Sequence, residues 1–174
     1  MIEKDRSATE PVLGKSTEII PLRDAEGFRR ISRLMAEQAT RQLDIFTYDL
    51  DTRIYDKKPF LKAVKALALS TGNARIRILL QNNERVQKEG HRLVDLARKL
   101  PSRIEIRRHN PEYIDHGENF MVVDTTGYVR RRQHNQYEGE ADFNDRRKAE
   151  SYRNLFSAIW DCSEPDSELR IIGI

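Results

Sequence analysis

The chain has a single cysteine, Cys162, among 174 residues. A lone thiol excludes an internal disulfide framework and a cysteine-rich zinc site, and it fits a reducing compartment. Long apolar runs are missing too. With no stretch of about 18 apolar residues, no segment is expected to span a membrane. Met1 to Lys15 is charged and carries no apolar signal core. Neither sign of charge dominates: 31 basic and 28 acidic residues leave a formal net charge of +3. Bulk charge therefore does not point to nucleic acid, and only a local cluster could. No internal repeat or low-complexity segment occurs. What remains is a cytoplasmic globular domain, long enough for one real core and too short for two ordinary ones.

Hydrophobic residues make up 38% of the chain, and their spacing is informative. Residues 1–17 lack periodicity and read as a mobile arm, with Glu18-Ile19-Ile20 a short strand that Pro21 ends. Phe28, Ile31, Leu34 and Met35 recur at three and four, which predicts a helix from Asp24 to about Ala39 with Asp24 as its N-cap. Gln42 to Tyr48 reads as a buried strand, followed by a turn at Asp49-Leu50-Asp51. Lys58 to Ser70 is a helix, stopped by Gly72. Ala74 to Gln81 alternates Ile76, Ile78 and Leu80 with Arg75 and Arg77, a strand with a wet face at its start. Glu84 to Leu100 is helical, weakened at Gly90. Arg103 to Arg107, Phe120 to Val123 and Tyr128-Val129 are strands. A helix from Asn144 or Asp145 to about Asp161 presents Tyr152, Leu155, Phe156 and Ile159, and Phe156 and Trp160 belong to the core. Residues 18–162 form the domain and 163–174 a tail, whose Ile171, Ile172 and Ile174 are expected to pack on the domain or on a neighbouring subunit. Alternating helices and strands predict an α/β sandwich with a mostly parallel central sheet and helices on both faces.

Three blocks, roughly residues 42 to 161, resemble one half of a phospholipase D-like protein. The first is Asp44-Ile-Phe-Thr-Tyr-Asp-Leu-Asp51 with the helix and strand after it. The second is Ser102-Arg-Ile-Glu-Ile-Arg107. The third joins Phe120-Met-Val-Val-Asp124, Asn135-Gln-Tyr-Glu138 and Phe156-Ser-Ala-Ile-Trp160. The chain is also similar to an uncharacterised bacterial group of phospholipase D-like domains. The family's signature is His-x-Lys-x4-Asp followed by a Gly-Ser-x-Asn turn. Its histidine attacks phosphorus, and its lysine and polar turn stabilise charge on the phosphoryl oxygens. With Asp124 on the family's aspartate, Asn119 takes the lysine position and Gly117 the histidine position. His116 is one residue out of step, which on a strand reverses the face. No Gly-Ser pair occurs in the chain. The resemblance thus implies the fold without the activity. It also implies a homodimer, because single-half members pair to build one site.

Several residues stand as candidates, each beside a plainer reading. His116 is the remaining nucleophile by position, or else a solvated loop histidine. Asp124 keeps a supporting place in the catalytic pattern, as do Asn135 and Glu138. Arg107, Arg108 and His109, with Arg130, Arg131 and Arg132, could form a basic rim for phosphates if the sheet brings them together. The alternative is a solvated charged surface. Tyr113, Tyr128 and Tyr137 could stack on single-stranded nucleic acid, or simply pack. His109, His116 and His134 with Asp115 or Asp124 lack a tight metal motif. Asp49, Asp51, Asp115, Glu118 and Asp124 could crowd one end of the sheet with acids, although Asp-x-Asp is also an ordinary turn. No metal and no cofactor is assigned. The sequence thus reads as a non-catalytic binding or regulatory domain. The alternatives are a phosphodiesterase or nuclease with an altered site, or a phosphate- or nucleic-acid-binding protein. A protein partner stays open.

Overall fold

Asp24 fixes the start of the first helix, α1 (Ala25–Glu37): its Oδ1 accepts from the Gly27 N–H at 2.7 Å. In the computed structural model, which describes residues 9–70, 72–110, 112 and 117–170, α1 follows a three-residue strand, β1 (Ile20–Leu22). Pro21 lies inside β1, not after it. The position tolerates proline because β1 is an edge strand. Next come β2 (Gln42–Thr47), a single-turn helix α2 (Thr52–Tyr55), α3 (Lys58–Ser70) and β3 (Arg75–Leu80). The helix expected over residues 84–100 is two helices, α4 (Glu84–Glu89) and α5 (Arg92–Lys99). Gly90 breaks them apart with φ +74°, and the His91 ring caps α5 by accepting from the Leu93 N–H at 3.1 Å. β4 (Ile104–Arg108), β5 (Asn119–Val123), β6 (Gly127–Arg131), β7 (Gly139–Asp142), α6 (Arg146–Asp161), β8 (Glu164–Pro165) and α7 (Ser167–Arg170) complete the chain.

The eight strands form one sheet in the order β1-β7-β6-β5-β2-β3-β4-β8. The sheet is mostly antiparallel, which corrects the expectation from the sequence. Only β2–β3 and β3–β4 pair in parallel, and the other five pairings are antiparallel. A parallel pair needs a long crossover, and the helical segments between β2, β3 and β4 supply it. The links from β5 to β6 and from β6 to β7 are short and carry no helix, so those strands fold straight back.

The two faces of the sheet are covered by different helices. Leu43, Ile45, Ile76, Ile78, Met121 and Val123 pack with Phe28, Ile31 and Met35 of α1, Phe60 and Val64 of α3, and Leu93 of α5. Phe46, Leu79, Phe120 and Val122 point the other way, onto Phe156, Ile159 and Trp160 of α6. Helices therefore lie on both faces, as the sequence predicts. Beneath α6 the sheet also buries an ion pair. Asp44 and Arg77 are directly opposite in register and joined by two 2.8 Å hydrogen bonds. The Arg77 guanidinium lies 4.8 Å from the Phe156 ring centroid. The wet face expected for β3 is confined to Arg75, which is exposed.

Both chain ends fold back on the domain where they are described. The Gly14 N–H donates to the Phe143 carbonyl at 2.7 Å and the Leu13 N–H to Gln38 Oε1 at 2.7 Å. β8 pairs with β4, and Leu169 is buried in the core. The rest of the expected arm, residues 1–8, lies outside the described residues, as do Ile171, Ile172 and Ile174.

Candidate functional site

The register gathers one end of the sheet into a rim. The carboxyl ends of β2, β3 and β4 meet the start of β5 and the end of β6 there, with Asn119 opposite Arg131. Ligands of open α/β sheets bind at the carboxyl ends of parallel strands. Asn119 is buried, and its Oδ1 accepts from the Tyr48 N–H at 2.7 Å. Arg131 is held on several sides. Its Nη1 donates to Asp51 at 3.0 Å, its Nε to the Gln136 carbonyl at 2.6 Å, and its Nη2 to the His134 carbonyl. The same Asp51 oxygen accepts from the Tyr137 hydroxyl at 2.7 Å, and the guanidinium lies 4.3 Å from the Tyr137 ring centroid. His134 stacks on Tyr48 with centroids 3.7 Å apart.

Electrostatics at the rim follow from these contacts. Burial pushes the Asp51 carboxyl up. The hydrogen bonds from Tyr137 and from the Arg53 N–H, together with the Arg131 guanidinium, outweigh burial and hold Asp51 below the usual carboxylate range. Asp51 also starts α2, through a 2.9 Å hydrogen bond from the Arg53 N–H. Asp49 behaves oppositely. Burial and the nearby Asp51 raise it, although Arg85 approaches to 3.1 Å. Arg131 and Asp51 thus form a closed structural pair, and the rim near them is already satisfied by the protein's own groups.

The two arginine clusters share this edge without converging. Strands β5, β2 and β3 separate β6 from β4, four strand spacings or about 19 Å. Strand alternation also splits the second cluster between faces. Arg131 turns to Asp51, whereas Arg130 turns to the α6 side, pairing with Glu118 and with Glu140. Arg132 meets Glu138 at 3.8 Å in the open. Arg107 lies 4.3 Å from the Trp160 ring centroid and donates to the Trp160 carbonyl at 2.9 Å. Arg108 is exposed, and so is Asn135, in the loop between β6 and β7.

Asp124 stands at the opposite end of β5, about 17 Å from Asn119 along the strand. One of its carboxylate oxygens accepts from the Thr40 N–H and hydroxyl at 2.8 and 3.0 Å. The other accepts from the Arg41 and Gln42 N–H groups at 2.8 and 2.9 Å. It pins the loop entering β2 and shares no site with Arg131. His116, Asp115 and Tyr113 lie outside the described residues. His109 packs edge-on against Phe46, and Tyr128 is buried beside Tyr152. Among the described residues no group of three or more His, Cys, Asp or Glu could hold a metal ion, and no helix is long and apolar enough to cross a membrane. The sequence reading did not pair Asp51 with Arg131 or Asp44 with Arg77. An arginine or aspartate inside an apolar strand run was the available signal, since such a charge is rarely buried without a partner.

One sheet sandwiched by helices, with its rim at the carboxyl ends of three parallel strands, defines a mixed α/β domain. The chain belongs to the family described as a domain of unknown function, DUF7931, whose model matches residues 24–172. No curated protein matches the chain. Among solved structures it is similar to TrmBL2, described as an archaeal chromatin protein with a novel mode of DNA binding. The TM-score is 0.63 and the identity 16%, over 84% of this chain and 52% of that one. It is also similar to NucT from Helicobacter pylori, with a TM-score of 0.61 and 11% identity, over 86% of this chain and 98% of that one. The chain thus spans about half the length of the chromatin protein. At these identities the likeness concerns the fold alone.

Proposed function

We propose that this chain is a non-catalytic phospholipase D-like domain that binds a phosphate-bearing ligand, nucleic acid in the first place. The observation that carries this reading is Asn119. Attack on a phosphodiester needs a nucleophile and cations available to the phosphoryl oxygens. At the lysine position Asn119 carries no charge, and its carbonyl oxygen already accepts from the Tyr48 N–H at 2.7 Å. The neighbouring cation, Arg131, is engaged by Asp51 and by two backbone carbonyls. The chromatin protein of shared fold is described as binding DNA, which is compatible with a ligand of that class here. As a single half of the phospholipase D-like type, the domain acts as a homodimer in this reading, and sedimentation giving a clean monomer would remove that part.

Hydrolysis of bis-p-nitrophenyl phosphate, with and without divalent metal, tests the loss of chemistry. The expected result is no release above the blank. Release by the full chain that disappears in His116→Ala would overturn the reading.

A further inference from the structure

We propose that the outer face of α3 and α5 is the surface that grips the nucleic-acid backbone, in duplex form and without regard to sequence. This inference rests on the reading that the domain binds nucleic acid. It moves the contact away from the arginine rim, to lysines that the protein leaves unneutralised.

Lys58, Lys62 and Lys65 recur at four and three along α3, opposite the buried Phe60, Val64 and Leu67. They form one stripe on the helix, about 10 Å long at the helical rise. Beside it α5 contributes Lys99. A groove of about 360 Å³ runs between the two helices, lined by Leu61, Lys62, Lys65, Leu96 and Lys99 among others. Two acids lie nearby, and one of them, Asp95, lines the groove itself with Arg92. Asp56 holds Arg92 at 2.6 Å, and Asp95 holds Arg98 at 3.3 Å. Among the described residues the only lysine with a carboxylate within 4.0 Å is Lys148, on the other side of the sheet. Four unpaired ammonium groups thus sit on one face of a chain whose net charge is only +3. Of the arginine rim, Arg107, Arg130, Arg131 and Arg132 each meet a carboxylate, whereas Arg108 has no ion pair among the described residues.

The chemistry of the face narrows the ligand. Lysine offers a mobile point charge, suited to phosphate oxygens in varied geometries. Contacts to phosphate position a duplex and carry no base information. The aromatic ring of α3, Phe60, is buried in the core, and α5 has none, so the groove offers no platform for unstacked bases. Leu61 and Leu96 are half-buried between the lysines instead of projecting from the surface, unlike the apolar face of a membrane-lying helix. Leu69, exposed at the end of α3, is the one apolar handle a membrane would find on this helix.

Fluorescence anisotropy of a labelled 20-base-pair duplex with the full chain tests the proposal. Four phosphate contacts give a slope of log affinity against log salt of about −3.6, so affinity falls about 150-fold between 50 and 200 mM salt. Lys62→Gln and Lys65→Gln, singly, should each flatten the slope by about 0.9. The quadruple change K58Q/K62Q/K65Q/K99Q should abolish binding while the circular dichroism spectrum is unchanged. Arg108→Gln with Arg132→Gln should leave the slope alone. Wild-type binding by the quadruple variant, or loss of binding in the rim variant, overturns the lysine face while the nucleic-acid reading survives. Failure of the wild-type chain to bind any duplex overturns both. Binding only to vesicles of 30% phosphatidylserine in phosphatidylcholine overturns both in favour of a membrane surface.

Discussion

Replacing Arg131 with methionine isolates the part of the rim that the protein has closed on itself. Methionine keeps the length and most of the packing, and removes the charge and the donors. The side chains of Arg131 and Asp51 are 9% and 8% exposed, so water screens the pair weakly. Breaking a buried pair from one side leaves an uncompensated charge and costs about 3–5 kcal/mol. Against a total stability of about 5–15 kcal/mol this is large, and it lowers the melting temperature by about 10 °C in a chain of this length. Urea unfolding followed by circular dichroism reads it. The companion variant, Arg131→Met with Asp51→Asn, removes both charges. Asparagine can still cap α2 and accept from Tyr137, so the double variant should recover most of the loss. The pH dependence has a definite sign. In the wild type Asp51 is held below its ordinary value of 3.8, so its contribution is present above that pH and is lost as pH falls through the depressed value. In Arg131→Met the lone carboxylate is easier to protonate, so the gap to the wild type narrows as pH falls below about 4. A single variant within 1 kcal/mol of the wild type, or a double variant no better than the single one, would refute the reasoning.

Two further substitutions probe the frame that carries the rim. Asp124→Ala strands three backbone N–H groups and the Thr40 hydroxyl, and should cost about 3 kcal/mol in urea unfolding with no change in duplex affinity. Gly139→Ala should prevent folding, read as loss of the circular dichroism signal, because a Cβ there would run into the backbone carbonyl of Arg130 across the β6–β7 pair.

Much of the frame is legible in the residues. The 3.6-residue pattern of Phe28, Ile31 and Met35 with Asp24 before it yields α1, and the aromatic face of α6 is equally plain. The sheet's directions were partly legible. Helices separate β2, β3 and β4, and alternation stops after β4, where short links force antiparallel return. β7 was missed because Gly139-Glu-Ala-Asp142 is a polar segment whose strand character comes from its two neighbours, β1 and β6. The rim was less legible still. Three consecutive arginines look like one cluster on paper. Strand alternation sends Arg130 and Arg131 to opposite faces, where Glu118 and Asp51 meet them from 12 and 80 residues away. Pairing over such distances depends on topology, which local pattern does not carry. The lysines of α3 were visible at helical spacing but look like any solvated face until the structure shows which acids lie beside them.

The most direct test of the account is one native gel. Labelled duplex DNA is incubated with the full chain and divalent metal at low salt, and both its mobility and its length are read. The account predicts a shifted band that returns to full length once protein is removed. Shortened DNA would show that the chemistry survives, and an unshifted, intact band would show that the domain does not bind nucleic acid at all.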